Sequence, residues 1–330
     1  MIFTRYITAR FSGISRLTGR TAWFLGMFLL VFGTSQISFG QNTALKIPVL
    51  NEHEFIPSTT VPDPFTQSHV LTSVGIGNTK VTELAQFDFL DEEGILVEGD
   101  LTNVLFDIGF QQRVRQWLAL NVSISVAGRL GSDAFSLISS GVTAGTVTNI
   151  GWLVKPYQSS SSAIAVYLGA ERATFTVVSP GQFLEDLFNG KPATFSDSIP
   201  STQLESSVRM AHGFSRVVGA KIYGAVRYGE QTLSRNSRMS TIWKFGGSLS
   251  LDPWEQLRIP IGILASFTVS SFTGGLEDAK TKNREFELKV DYIVPDDYRF
   301  GLSFGWSSIP SVFEENFSVF TVRLTSRFYF

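Results

Sequence analysis

The chain closes on Thr321-Val322-Arg323-Leu324-Thr325-Ser326-Arg327-Phe328-Tyr329-Phe330. Val322, Leu324, Phe328 and Phe330 share one parity with Phe320, while Arg323, Thr325 and Arg327 take the other. Period two of this kind describes a strand with one apolar and one polar face. Ser326 interrupts the apolar row once. Chain ends usually fray, so an alternation carried to a final aromatic predicts a strand paired to its last residue.

The same arrangement recurs upstream. Leu118, Leu120, Val122, Ile124 and Val126 alternate with Ala119, Asn121, Ser123, Ser125 and Ala127. Phe286, Leu288, Val290 and Tyr292 oppose Glu285, Glu287, Lys289 and Asp291; Tyr298, Phe300, Leu302, Phe304 and Trp306 oppose Arg299, Gly301, Ser303, Gly305 and Ser307. Short connections near 111–115, 155–161, 214–216, 251–256 and 294–297 alternate with long ones near 79–98, 131–140, 176–203, 230–238, 272–284 and 308–316. The pattern predicts twelve strands: 68–78, 99–111, 116–130, 141–154, 162–175, 204–213, 217–229, 239–250, 257–271, 284–294, 298–307 and 317–330. The strands at 68–78 and 204–213 are the weakest, so ten or fourteen also fit.

Alternation alone does not say which face is wet. A soluble β-sandwich would carry many charges on its outer face, yet only 17% of residues are charged and the polar face is mostly Gly, Ser, Thr and Ala. About five alternating apolar residues per strand match the ~25 Å apolar band of a transmembrane barrel. Aromatics gather at strand ends, with Trp117, Trp152, Trp254, Tyr298 and Phe328 toward the short turns and Tyr228, Trp243 and Trp306 toward the long loops; interfacial girdles are built so. Closure removes the unpaired edges that lipid forbids. The expected fold class is all-β: a transmembrane antiparallel up-and-down β-barrel spanning 68–330.

The last ten residues, with Phe328 and Phe330 on one face, resemble the insertion signal of Gram-negative outer-membrane β-barrel proteins. The resemblance implies placement in the cell outer membrane and recognition of the last strand by the barrel-assembly machinery. It also implies outer-membrane lipids and lipopolysaccharide as surroundings. Porin-like members of about this size pass small solutes, and no substrate motif here matches one subfamily.

Residues 1–40 read as a signal peptide. Arg5, Arg10, Arg16 and Arg20 precede an apolar run from Ala22 to Gly33, too short to span a bilayer, and Ser38-Phe39-Gly40 suits cleavage. Removing these four Arg from 27 basic residues leaves 23 against 29 acidic, a formal charge of −6. Such a balance argues against nucleic acid as a partner. The absence of Cys excludes disulfides, thiolate metal sites and a lipid-anchoring Cys. Residues 41–67 contain Pro48, Pro57, Pro62 and Pro64, which excludes a central strand. They either hang in the periplasm or form a plug.

With the apolar face on lipid, the opposite face lines the lumen. Its basic candidates are Arg129, Arg209, Lys221, Arg227, Lys244, Arg258, Lys289, Arg299, Arg323 and Arg327, against Asp107, Glu171, Glu205, Glu285, Glu287 and Asp291. Ten cations against six acids predict a channel favouring anions. The alternative is a lumen closed by cross-strand ion pairs, acting structurally or through its outside loops. In the loop at 176–203, Glu185 and Asp186 are candidate constriction residues by analogy with general porins. The acidic loop residues Glu83, Asp88, Asp91, Glu92, Glu93 and Glu98 suit solvation, or divalent cations bridging lipopolysaccharide.

Catalysis is not expected. His212 and Ser215 are three residues apart, on opposite faces of a continuous strand, unlike the His and Ser of the outer-membrane phospholipases. His53, His69 and His212 are far apart, so neither a metal nor another cofactor is expected.

Overall fold

The structure, a computed structural model, describes residues 47–85, 95–131, 142–178, 183, 186–190, 196–233, 236–273, 281–293, 297–309 and 317–330. The expected signal peptide lies outside the described residues, as do Glu185 and the loop acids Asp88, Asp91, Glu92 and Glu93.

Two short strands, β1 (Val49–Leu50) and β2 (His53–Glu54), pair as a small hairpin. Twelve long strands follow: β3 (His69–Ala85), β4 (Ile95–Arg115), β5 (Leu118–Gly131), β6 (Val142–Gln158), β7 (Ser162–Val178) and β8 (Ser196–Gly213). The series continues with β9 (Val218–Leu233), β10 (Asn236–Leu251), β11 (Ile261–Thr273), β12 (Thr281–Tyr292), β13 (Tyr298–Ile309) and β14 (Phe317–Tyr329). A single turn of helix, α1 (Trp254–Leu257), lies between β10 and β11. Each long strand pairs antiparallel with its sequence neighbours, and β14 closes the barrel on β3.

Closure follows from the last residues. Arg323 lies opposite Gly75 and Tyr329 opposite His69. Beyond β14, Phe330 N–H still donates to the Ser68 carbonyl at 3.3 Å. The Phe330 ring stacks with Phe328 and with Phe110 of β4. Pairing therefore runs to the final residue, with an aromatic cluster pinning the seam from outside.

Side chains alternate across the wall. Phe320, Val322, Leu324 and Phe328 are exposed on the outer face, whereas Thr325, Arg327 and Tyr329 are buried inside. The outer row continues through Leu302, Phe304, Phe286, Leu288, Ile263, Phe267 and Phe245. Trp117 and Trp152 stand exposed near the short turns, and Trp243 and Tyr228 toward the other end. A contiguous apolar belt with aromatic margins meets lipid, not water.

The observed strands run further toward the long-loop end than hydrophobicity suggested. β8 begins at Ser196, although Pro200 and a polar run favoured a loop through 203. β9 and β10 continue until only 234–235 separate them, replacing the long connection expected at 230–238. Beyond the apolar belt a ladder needs only backbone pairing, so polar residues extend it. Conversely, 257–260 is not strand: Arg258 takes φ 54° as the cap of α1, and Pro260 follows.

Candidate functional site

The barrel interior is occupied by the chain's own N-terminal segment. Residues 47–68 enter at the short-turn end, where Asn51 N–H donates to Ser160 O at 2.6 Å and the Asn51 amide donates to Gly213 O at 3.3 Å. They rise to Ser58–Thr60, against β11 and β12, then descend to Thr66, whose hydroxyl donates to Gln116 O at 2.9 Å. Gln111 Nε2 clamps the descending limb by donating to the carbonyls of Phe65 and Gln67, each at 2.8 Å.

Apolar side chains seal this plug to the wall. Ile47, Leu50, Phe55, Ile56, Val61 and Phe65 are all buried; Leu50, Phe55 and Phe65 pack on Ala163 and Ala211, and Val61 on Tyr223 and Ala225. Small wall residues make the room. A Cβ on Gly219 would stand 2.2 Å from the His53 ring, and one on Gly213 2.3 Å from Leu50 O. These glycines serve close approach between wall and plug.

Polar groups set the plug's position. Asp63 holds Lys221 Nζ at 2.6 Å on one carboxylate oxygen and an Arg327 guanidinium nitrogen at 2.5 Å on the other. Burial alone would raise the Asp63 carboxyl, but the Lys221 and Arg327 charges hold it well below the usual carboxylate range. Lys221 also donates to Ile56 O at 2.9 Å, and Arg209 to the Asp63 carbonyl at 3.3 Å. Glu54 pairs with Arg299. Glu287 accepts from Ser58 Oγ at 2.6 Å and from Thr59 Oγ1 at 2.8 Å, and Lys289 donates to Pro57 O at 2.9 Å.

Above the plug the wall charges pair with each other. Arg227 bridges Glu205 (2.8 Å) and Glu171 (3.1 Å), Lys244 meets Glu285 (3.2 Å), and Arg323 lies 3.5 Å from Asp107. Side chains at plug level are almost fully buried, 1% exposed for Lys221 and 2% for Lys289, while Arg227 is 30% and Arg323 26% exposed. A chamber of about 350 Å³ lies on the plug, lined by Thr60 and Asp63 below and by Asn149, Tyr167, Arg209 and Arg227 on the wall. The lumen is thus filled at the short-turn end and hollow above.

The structure places Arg209, Lys221, Arg227, Lys244, Lys289, Arg299, Arg323 and Arg327 on the inner wall with Asp107, Glu171, Glu205, Glu285, Glu287 and Asp291. Lys289 and Asp291 pair at 2.9 Å. Arg258 stands apart: it is exposed after α1, its guanidinium 5.8 Å from the Trp254 ring centre, and it does not line the lumen. The physical reason is that the strand begins only at Ile261, so the parity counted through 258 does not apply. Arg129 is placed by its backbone alone, opposite Asn103. Asp186 lies in a helical turn of the loop, half-buried, with no described contact to the basic wall.

Sequence reasoning missed the partners that matter most. Asp63, Glu54, Ser58 and Thr59 lie in the Pro-rich segment, and no periodicity links them to wall residues more than 150 positions away. It also missed that Ser162 Oγ lies 2.8 Å from His212 Nδ1, a contact across two strands.

These features define a plugged transmembrane β-barrel of outer-membrane type. Among solved structures, the chain is similar to an outer-membrane channel from Pseudomonas putida F1, with TM-score 0.50 and 10% identity over 84% of this chain and 100% of that one. The translocator domain of the autotransporter NalP from Neisseria meningitidis matches with TM-score 0.49 and 10% identity, over 80% and 89%. The porin NanC matches with TM-score 0.44 and 8% identity, over 78% and 98%. At 10% identity the likeness to the Pseudomonas putida channel bears on the fold and nothing finer. No family model matches the chain, and no curated protein matches it.

Proposed function

We propose that this protein is an outer-membrane channel for small solutes that rests closed, with residues 47–68 as its gate. The observation that carries the reading is the layout of the lumen: a hollow, charged upper half above a separate segment seated through ion pairs and hydrogen bonds. A twelve-stranded wall is wider than a side-chain-filled eight-stranded barrel, so withdrawing the plug leaves an aqueous path. Withdrawal takes Asp63 from Lys221 and Arg327 and Glu54 from Arg299. The open wall then carries more cations than acids and favours anions.

On this reading the apolar belt faces outer-membrane lipid, the loops face lipopolysaccharide, and the last strand serves the assembly machinery. A second reading, a permanently closed barrel acting through its loops, is favoured by the ion pairs of Arg227, Lys244 and Lys289.

Planar-bilayer recording on purified barrel separates the two. Wild-type protein should be mostly silent with rare discrete steps. A variant lacking residues 47–66 should conduct steadily, with a reversal potential favouring anions in a salt gradient. Silence from a folded, plug-deleted barrel would establish the closed-barrel reading instead.

A further inference from the structure

The Asp63 latch is built like an anion site that is already occupied. Three cations converge on this one residue from three strands: Arg209 on β8, Lys221 on β9 and Arg327 on β14. None is more than 7% exposed. A buried cation is costly unless paired and hydrogen-bonded, and Arg209 reaches the backbone carbonyl of Asp63, not its carboxylate. Arg209 in particular has no carboxylate ion pair among the described residues. It lies 4.4 Å over the Tyr167 ring and donates to Ser207 Oγ and to the Asp63 carbonyl, both at 3.3 Å.

The chamber gives access to this cluster from above. Asp63, Arg209 and Arg327 all line it, together with Asn121, Asn149 and Tyr223. Tyr223 Oη is buried there and has no hydrogen-bond partner among the described residues. The groups available are thus guanidinium donors at one end and neutral hydroxyl and amide groups around it. Guanidinium recognises carboxylate through charge-assisted bonds, and amides and phenols exchange hydrogen bonds with hydroxyls.

The geometry points to a binding site for a small hydroxylated carboxylate, in which Asp63 acts as a built-in competitor. The solute carboxylate meets Arg209 and Arg327, its hydroxyls meet Tyr223, Asn121 and Asn149, and Asp63 gives way. Because Asp63 anchors the plug, occupancy of the chamber weakens the plug's seating. An acidic solute would thereby favour the opening of its own path. This last step rests on the gated-channel reading; the binding site does not.

The test is calorimetric titration of the folded barrel in detergent with sodium gluconate, with glucose as the uncharged control. Asp63 lies outside every wall strand, so Asp63→Asn leaves the barrel pairing intact, and a heat-modifiable gel shift checks it. Removing the competitor should tighten gluconate binding about tenfold over wild type, as expected when an internal ligand no longer occupies the site. Adding Arg209→Gln to that variant should return gluconate to the level of glucose. In bilayers, gluconate on the long-loop side should raise wild-type opening while glucose leaves it unchanged. Gluconate binding no better than glucose in Asp63→Asn, or no tighter than in wild type, overturns the site even if plug deletion opens the channel. Tight gluconate binding with a plug-deleted barrel that stays silent leaves the site standing and removes the channel reading.

Discussion

Asp63 and Lys221 meet at 2.6 Å, a carboxylate from the plug and an ammonium from β9, 158 positions apart in the chain. Lys221 is 1% exposed, so its charge depends on this partner and on the Ile56 carbonyl. Asp63→Ala leaves Lys221 and Arg327 buried without their carboxylate. Breaking a buried pair from one side costs about 3–5 kcal/mol. Here the chain can escape that cost by releasing the plug. Hydrogen exchange across residues 47–68 should therefore accelerate by about a hundredfold or more, at about 1.4 kcal/mol per tenfold. The barrel strands should be unaffected. Lys221→Met should do less, because Asp63 keeps Arg327.

Gly219→Val tests the apolar fit from the wall side. A Cβ at this position would meet the His53 ring at 2.2 Å and the Phe55 ring at 2.9 Å. The side chain points into the lumen, so lipid contacts and strand pairing stay as they are. We expect the variant to assemble normally by heat-modifiable mobility and to show the raised conductance of a displaced plug. Conductance equal to wild type would mean that the plug tolerates the clash and that its fit is not tight there.

His53 makes the plug sensitive to acid. Its Nδ1–H donates to Arg216 O at 3.2 Å, and its Nε2 lies 2.7 Å from Ser250 Oγ. Burial pushes the ring down to about 4, the Arg216 carbonyl opposes this, and the Lys221 charge adds to it. Withdrawn from the barrel, the ring returns to its ordinary value of 6.5. A base with a lowered pKa in the seated state loses seating as protons bind the withdrawn state first. Seating is therefore full above pH 6.5, weakens toward pH 4 by on the order of 3 kcal/mol, and is flat below that. The flanking Glu52–Arg216 pair is exposed, and Asp63 stays ionised through this window. Opening recorded between pH 7.5 and 4.5 should rise in wild type and lose that slope in His53→Gln.

The wall was legible in the sequence because lipid imposes a strict rule on it. Every strand must present an apolar residue at alternate positions, and Val290, Leu302 and Leu324 on three adjacent strands show that parity directly. Legibility failed where the rule lapses. Above the belt, polar residues such as Ser196 and Asn236 continue the ladder without any hydrophobic signal. At the short-turn end, Arg258 kept the parity of a strand that had not begun. The plug, one of two readings open for residues 41–67, could not be placed for a different reason. Its position depends on contacts such as Glu54 with Arg299 and Ser58 with Glu287, each set by tertiary geometry and not by local pattern.

The lipid face predicts a contrast between neighbouring residues. Leu302 points outward from β13 beside Val290 and Leu324, while Ser303 is buried on the inner side. Leu302→Arg should lower folding stability by about 2–4 kcal/mol if it lies near the midplane, the cost of a charge in hydrocarbon. Leu302→Phe should be nearly neutral. Urea-unfolding midpoints of the barrel in liposomes measure both.

Phe330 gives the last prediction, and it separates assembly from function. The residue belongs to neither the lumen nor the plug, yet its N–H donates to Ser68 O at the seam between β14 and β3. Its ring stacks with Phe328 at 6.4 Å and Phe110 at 6.1 Å, tying the last strand to the strand beyond its partner. Closure joins the two ends of the wall, residues more than 200 positions apart, so it depends on the final strand docking in register. Phe330→Asp puts a charge into this aromatic cluster at the membrane margin and should sharply reduce heat-modifiable barrel in membranes. Lys221→Met, which disturbs only the plug, should assemble to the wild-type level. Equal barrel content in the two variants would show that β14 closes without its terminal aromatic, and that the alternation through Val322 and Leu324 suffices.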